Sequence, residues 1–182
     1  MIDVDFDNLQ QILISMPELR RLDGKKNRVG LDYEDNQRWT MLYGRVIRLF
    51  GKEHEELAEQ RRTLRIPLRI KVDYEVDREK FHSMSHDISV NGIALGFTHV
   101  IPLNAVAKME IGIQFTTFLG LWKKKFVPIN ARVRWISQEA NRIGFEFVDL
   151  APHYKDIIQE TIYTVLNRKV YRSLEAYAHH AF

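Results

Sequence analysis

The chain changes its apolar period at Ile66, and that change decides what it can fold into. Before it, apolar residues recur at steps of three and four, first at Phe6, Leu9, Ile12, Leu13, Met16, Leu19 and Leu22, then at Trp39, Leu42, Tyr43, Val46, Ile47 and Phe50. That spacing lines one face of a helix. Pro17 is expected to kink or end the first helix, and the polar stretch 23–37 reads as a connector. From Ile66 the period is two: Ile66, Leu68, Ile70, Val72, Tyr74 and Val76 alternate with Pro67, Arg69, Lys71, Asp73, Glu75 and Asp77. Such alternation describes a strand with one buried and one wet face. It returns at 109–115, 129–135 and 143–147, with shorter runs at 81–88 and 93–97. About six half-buried antiparallel strands at this spacing predict a closed barrel or a sandwich.

After the strands, Pro152 is placed as in a helix first turn, and Ile157, Ile158, Ile162, Val165 and Leu166 form a helical stripe that Val170, Leu174 and Tyr177 extend. The fold class is therefore mainly β with α additions. The expected segments are a helical module over 1–59, a barrel over 60–150 and a C-terminal helical extension over 151–182. The tail of the second helix, 51–62, is charged almost all round, which suits projection into solvent or contact with a partner.

Charge narrows the function classes. The net charge is +3, but residues 61–150 hold 14 basic and 9 acidic groups, so the positive excess lies among the strands. This favours an anionic partner, while +5 over ninety residues is far weaker than a typical nucleic-acid-binding stripe, so a barrel that binds a nucleic-acid polymer is the less favoured reading. With no cysteine in the chain, disulfides, thiolate metal sites and thiol nucleophiles are excluded. No nucleophile, general base and orienting acid stand out together, and neither a P-loop nor a dinucleotide glycine motif is present, so an enzyme is not expected. The acidic start MIDVDFDNLQQ lacks the basic region of a signal peptide, and no apolar run approaches the ~20 residues needed to span a bilayer. A cytoplasmic, unprocessed protein is the expectation.

The chemistry concentrates between residues 60 and 95. Arg61, Arg62 and Arg65 crowd the entry to the first strand, and Asp87, Ser89, Asn91 and Gly92 follow twenty-one residues after Arg65. A guanidinium is a planar fork that can hold a phosphate or the O6 and N7 edge of guanine in bidentate fashion. Asp87 offers acceptors for guanine's ring and amino N–H groups and Ser89 a small hydroxyl, while Asn91-Gly92 is a turn dipeptide that tolerates positive φ and close ligand approach.

Arg61-x-x-x-Arg65 followed by Asp87-x-Ser89-x-x-Gly92 resembles the bipartite signature of PilZ domains, bacterial receptors for cyclic di-GMP. NARVRWI (130–136) and RIGFEFVDL (142–150) look like that family's late strands. The resemblance covers roughly residues 60–166 and implies a six-stranded antiparallel barrel with a C-terminal helix. It also implies that Arg61 and Arg65 contact guanine and phosphate, and that Asp87, Ser89 and Gly92 contact the other side of the guanine, with Arg62 an added phosphate partner. The implied ligand is cyclic di-GMP, with no cofactor or metal. The alternative is an interaction protein that keeps the fold and binds no nucleotide.

Other features read more simply. His82 and His86 stand four apart in a strand pattern, which does not suit a metal. Trp135 shares the phase of inward-facing Ala131 and Val133, so core packing is expected. Phe118, Leu119, Leu121 and Trp122 precede Lys123, Lys124 and Lys125 at a hairpin tip (118–125); the tip or the helices are expected to meet a protein partner, and the terminal helices to support a homodimer.

Overall fold

A computed structural model describes residues 6–50, 63–96, 99–116 and 122–180. They gather into two compact units, Met1–Leu64 with Tyr163–Phe182 and Arg65–Ile162.

In the first unit α1 (Phe6–Arg28) and α2 (Tyr33–Ile47) form a helical hairpin, with a 3-10 turn at Arg48–Phe50. The apolar stripe of each turns inward: Leu9, Ile12, Leu19 and Leu22 from α1 and Trp39, Leu42, Tyr43 and Ile47 from α2 are buried, as are Leu166 and Val170 from the last helix, α3 (Pro152–His180). Trp39 and Tyr43 pack ring on ring, 5.0 Å between centroids. Two expectations are corrected here. Of the two outcomes expected at Pro17, an end to the helix does not occur: α1 runs on through it, with Pro17 exposed and Met16 and Leu19 buried on the inward stripe. Nor is the polar stretch all connector: α1 continues to Arg28, and its Lys25 and Lys26 reach Asp32, Asp35 and Asn36 across the hairpin. Asp32 caps α2 by accepting the Asp35 N–H at 2.9 Å, the usual device for an orphan amide at a helix start.

The second unit holds seven strands: β1 (Arg65–Pro67), β2 (Lys71–Val76), β3 (Glu79–Ser89), β4 (Gly92–Gly96), β5 (Val106–Thr116), β6 (Trp122–Ser137) and β7 (Arg142–Val148). Neighbours run β1-β3-β2-β5-β6-β7-β4, and β4 pairs back onto β3. Strands β2 to β7 therefore close a six-stranded antiparallel barrel, and β1 lies on β3 just beyond β2. The alternating residues fill the inside: Val72, Ile88, Ile93, Ile111, Val133 and Phe145 are all buried, with Ile158 and Ile162 from the start of α3.

The continuous alternation over 66–76 does not give one strand. Ser85 interrupts it: its hydroxyl accepts the Ile70 N–H at 2.9 Å and donates to the Leu68 carbonyl, while a bulge at His86 shifts the register between Ser85 and Asp87. Residues 68–70 bend around that serine, leaving β1 and β2 as separate pieces.

Strands β5 and β6 pair in register from Val106↔Arg132 to Thr116↔Trp122. Among the described residues neither has a third strand beside the stretch Gly112↔Phe126 to Thr116↔Trp122, because β2 stops at Ile111 on β5 and β7 starts at Asn130 on β6. That stretch is a two-stranded ribbon. Lys124 lies 4.7 Å from the Phe126 ring centre and Lys125 5.6 Å from that of Tyr154. The tip residues 118–121 lie outside the described residues. No described helix is long and apolar enough to cross a membrane.

Candidate functional site

The first row of the site is built by register. Arg65 on β1 stands opposite Ser89 on β3, Ser89 opposite Gly92 on β4, and Gly92 opposite Glu146 on β7. Directly paired positions share a face, so these residues lie in line across four strands. A second row on the same face runs Pro67, Asp87, Ala94, Gly144 and Trp135. Residues two apart along a strand point the same way, which brings Arg65 of the first row to Asp87 of the second. The Arg65 Nη1 group donates to Asp87 Oδ1 at 3.0 Å, with the two side chains 20% and 15% exposed. A half-buried pair of this kind fixes the guanidinium plane over the sheet.

Gly92 forms the floor beneath it. A methyl group here would run into the Phe145 carbonyl oxygen on one side and stand 3.4 Å from Arg65 Nη2. Neither Asn91 nor Gly92 uses the positive φ that such a dipeptide tolerates; it occurs elsewhere, as at Asp77 and Arg78 in the β2–β3 turn. What Gly92 provides is room for a backbone and a guanidinium to approach each other. Ser89 is fully buried and closes the β3–β4 turn, its hydroxyl donating to the Gly92 carbonyl and accepting the Asn91 N–H, each at 3.3 Å. Asn91 ties the turn to β7, its carbonyl accepting the Phe147 N–H at 2.9 Å. Arg61 and Arg62 lie outside the described residues.

Trp135 overturns its sequence reading. A bulge between Val133 and Trp135 puts Val133 opposite Phe145 and Trp135 opposite Gly144. This shifts the alternation by one, so Val133 stays in the core while Trp135 faces out at 40% exposure with its ring against Gly144. Arg134, the residue at the bulge, pairs with Glu146 at 2.7 Å. The indole is thus a member of the Asp87 row that sequence reasoning missed. Its one signal was the glycine at 144 inside a strand, a mark of something lying close over the backbone.

Electrostatics set the opposite flank. His86, beside Asp87 in the β3 bulge, rests against Gly96, 3.4 Å from where a methyl group there would stand. Burial holds its imidazole below the ordinary histidine range, and Arg142 and Arg69 add to that, with Asp87 opposing. His82 instead meets Asp73 at 2.6 Å on the exposed side of β3.

A guanidinium held over a glycine floor, a carboxylate beside it and an indole along the row together put donors, acceptors and a flat apolar face on one surface. The family model for the PilZ domain matches residues 59–164. The chain belongs to the PilZ family. Among curated protein sequences none matches it. Of the solved PilZ structures, YcgR of Escherichia coli in complex with c-di-GMP aligns at 16% identity with a TM-score of 0.50, covering 65% of this chain and 51% of that one. The isolated PilZ domain of YcgR with c-di-GMP aligns at 17% identity and a TM-score of 0.48, covering 64% and 98%. MotI (DgrA), the inhibitor of motility of Bacillus subtilis, aligns at 16% and 0.46, covering 57% and 49%. The match thus spans about half the length of the MotI chain and of the first YcgR chain. At these identities the likeness concerns the PilZ fold.

Proposed function

We propose that this PilZ protein is a non-catalytic receptor for cyclic di-GMP, with the ligand held against the face formed by Arg65, Asp87 and Gly92. The observation that carries the reading is the Arg65–Asp87 pair standing over Gly92. An arginine fork reads guanine O6 and N7 or a phosphate, and a carboxylate accepts from guanine N–H groups; here both stand side by side above backbone. Membership of a family whose YcgR member was solved with c-di-GMP supports the choice of ligand. Arg61 and Arg62 join from the segment that precedes Arg65 in sequence, and Trp135 offers a ring for a base to stack on. Ser89 and Asn91 serve by shaping the turn. Ordering of the arginine segment over the ligand is then passed to the helical module and to a cytoplasmic protein partner. The ligand must favour one arrangement of the segment for this to work, since equal affinity for both shifts nothing.

A second reading has one observation behind it. Arg65 and Asp87 already engage each other, and Ser89 is engaged within its turn, as they would be in a PilZ-fold interaction protein that binds no nucleotide. Calorimetric titration with cyclic di-GMP separates the two. The receptor gives saturable binding that weakens at least about tenfold, the worth of one good hydrogen bond, in both Arg65→Ala and Asp87→Ala. Absence of heat and of competition at millimolar ligand selects the interaction protein.

A further inference from the structure

Asp23 lies in the helical unit and is 1% exposed. Four pieces of chain converge on its carboxyl group. From α2 the Trp39 indole N–H donates to Oδ1 at 3.3 Å; from α1 the Asn27 amide donates to Oδ2 at 3.5 Å; and the main-chain N–H of Leu64 donates to Oδ1 at 3.5 Å. The fourth is α3, whose buried Tyr163 sits near enough for the Asp23 charge to raise its phenol well above the ordinary range, on top of the larger effect of burial. Two cations face the cluster, both from α1. Lys26 lies 3.3 Å above the Trp39 ring and donates to Asn36, and Arg20 lies 5.6 Å from the Tyr163 ring centre.

The carboxyl is incompletely served as an anion. Charge-assisted N–H···O⁻ bonds run about 2.7–2.9 Å, and all three of these are longer. Meanwhile two buried oxygens of the same cluster, Asn27 Oδ1 and Tyr163 Oη, have no hydrogen-bond partner. A neutral carboxylic acid supplies the O–H donor that the anion lacks, and half a turn of the Asn27 amide would present Oδ1 in the place of Nδ2. Burial accordingly pushes Asp23 up to about 6, against the Leu64 and Trp39 bonds and the Lys26 charge, which pull it down.

We propose that Asp23 is a proton-responsive latch on the main chain just ahead of Arg65. Leu64 is buried and belongs to no strand; β1 starts one residue later. The Asp23 carboxyl thus touches the main chain one residue before β1 begins. Gain or loss of one proton changes the grip on the Leu64 amide, and through it the setting of Arg65. The latch itself is independent of any ligand; only its effect on affinity rests on the receptor reading above.

Nuclear magnetic resonance on the full chain, without ligand, decides it. The Asp23 side-chain carboxyl carbon and the Leu64 amide are followed from pH 4.5 to 7.5. The expected result is a common midpoint near 6, with the Leu64 inflection abolished in Asp23→Asn while the rest of the amide spectrum keeps its dispersion. A midpoint near 4, or a Leu64 amide that ignores the Asp23 titration, overturns the latch, and both can be read in the parent chain alone. Cyclic di-GMP titrations at pH 5.5 and 7.5 then test the reach to Arg65. Affinity should differ between the two pH values by at least about threefold more in the parent than in Asp23→Asn; equal pH dependence in the two overturns that link. Absence of binding at either pH sinks the receptor reading, and the ligand-free titration still judges the latch.

Discussion

At Gly92 the space between the Phe145 carbonyl and the Arg65 guanidinium admits a hydrogen atom and nothing larger. Gly92→Ala should therefore force the β4 and β7 backbones apart and cost about 1–3 kcal/mol, the usual penalty of overpacking a closed site. Urea unfolding checks the stability, and nucleotide titration should show the affinity falling with it. A turn glycine needed only for its φ would behave differently, because Gly92 has no positive φ to relieve. At this scale the sequence was legible in kind and misleading in reason. Arg65 and Asp87, which family likeness singles out, stand 3.0 Å apart, but why a glycine stands at 92 depends on β7, about fifty residues away. Trp135 was not legible at all. Alternation assigns it to the core, and the bulge at Arg134 that reverses its direction leaves no mark on the period.

Among the elements, β3 bears most of the organisation, since it pairs with β1, β2 and β4 along its eleven residues. Ser85 is the hinge of that arrangement. Its hydroxyl serves Ile70 and Leu68 at once, and its side chain is fully buried. Ser85→Ala leaves an N–H and a carbonyl without their partner and should lower stability by about 1–3 kcal/mol, read as a shift of the urea midpoint with little change in slope. The same substitution tests what separates β1 from β2. Strand β5, and β6 as far as Val133, were readable because their alternation is clean and one face is buried. The break at 68–70 was not, because a serine at 85 has no period of its own and acts on a strand fifteen residues earlier. The length of α1 was hidden for a related reason: Lys25 and Lys26 look like connector residues until Asp32, Asp35 and Asn36 are seen to receive them.

For the whole chain, pH is the most direct probe of how the helical unit is held. Asp23 has a folded value of about 6 against an ordinary 3.8. Between those values the unfolded chain releases the proton first, so the folded state carries more protons and stability falls as pH rises. Its contribution is complete below about pH 4 and lost above about pH 6, a swing of about 3 kcal/mol for a shift of this size. Unfolding free energies of the parent chain relative to Asp23→Asn, measured at pH 4, 5, 6 and 7, should fall by that amount; a flat difference would show that the carboxyl is ionised throughout. A different consequence follows from the ribbon formed by the far ends of β5 and β6. Two strands without a third beside them are an open template, on which another copy could add its own strand. Lys123, Lys124 and Lys125 stand in succession on one of those strands. With Lys124 and Lys125 exposed on that strand, a second copy laid edge to edge would bring like charges together, and such lysines oppose pairing through the open backbone.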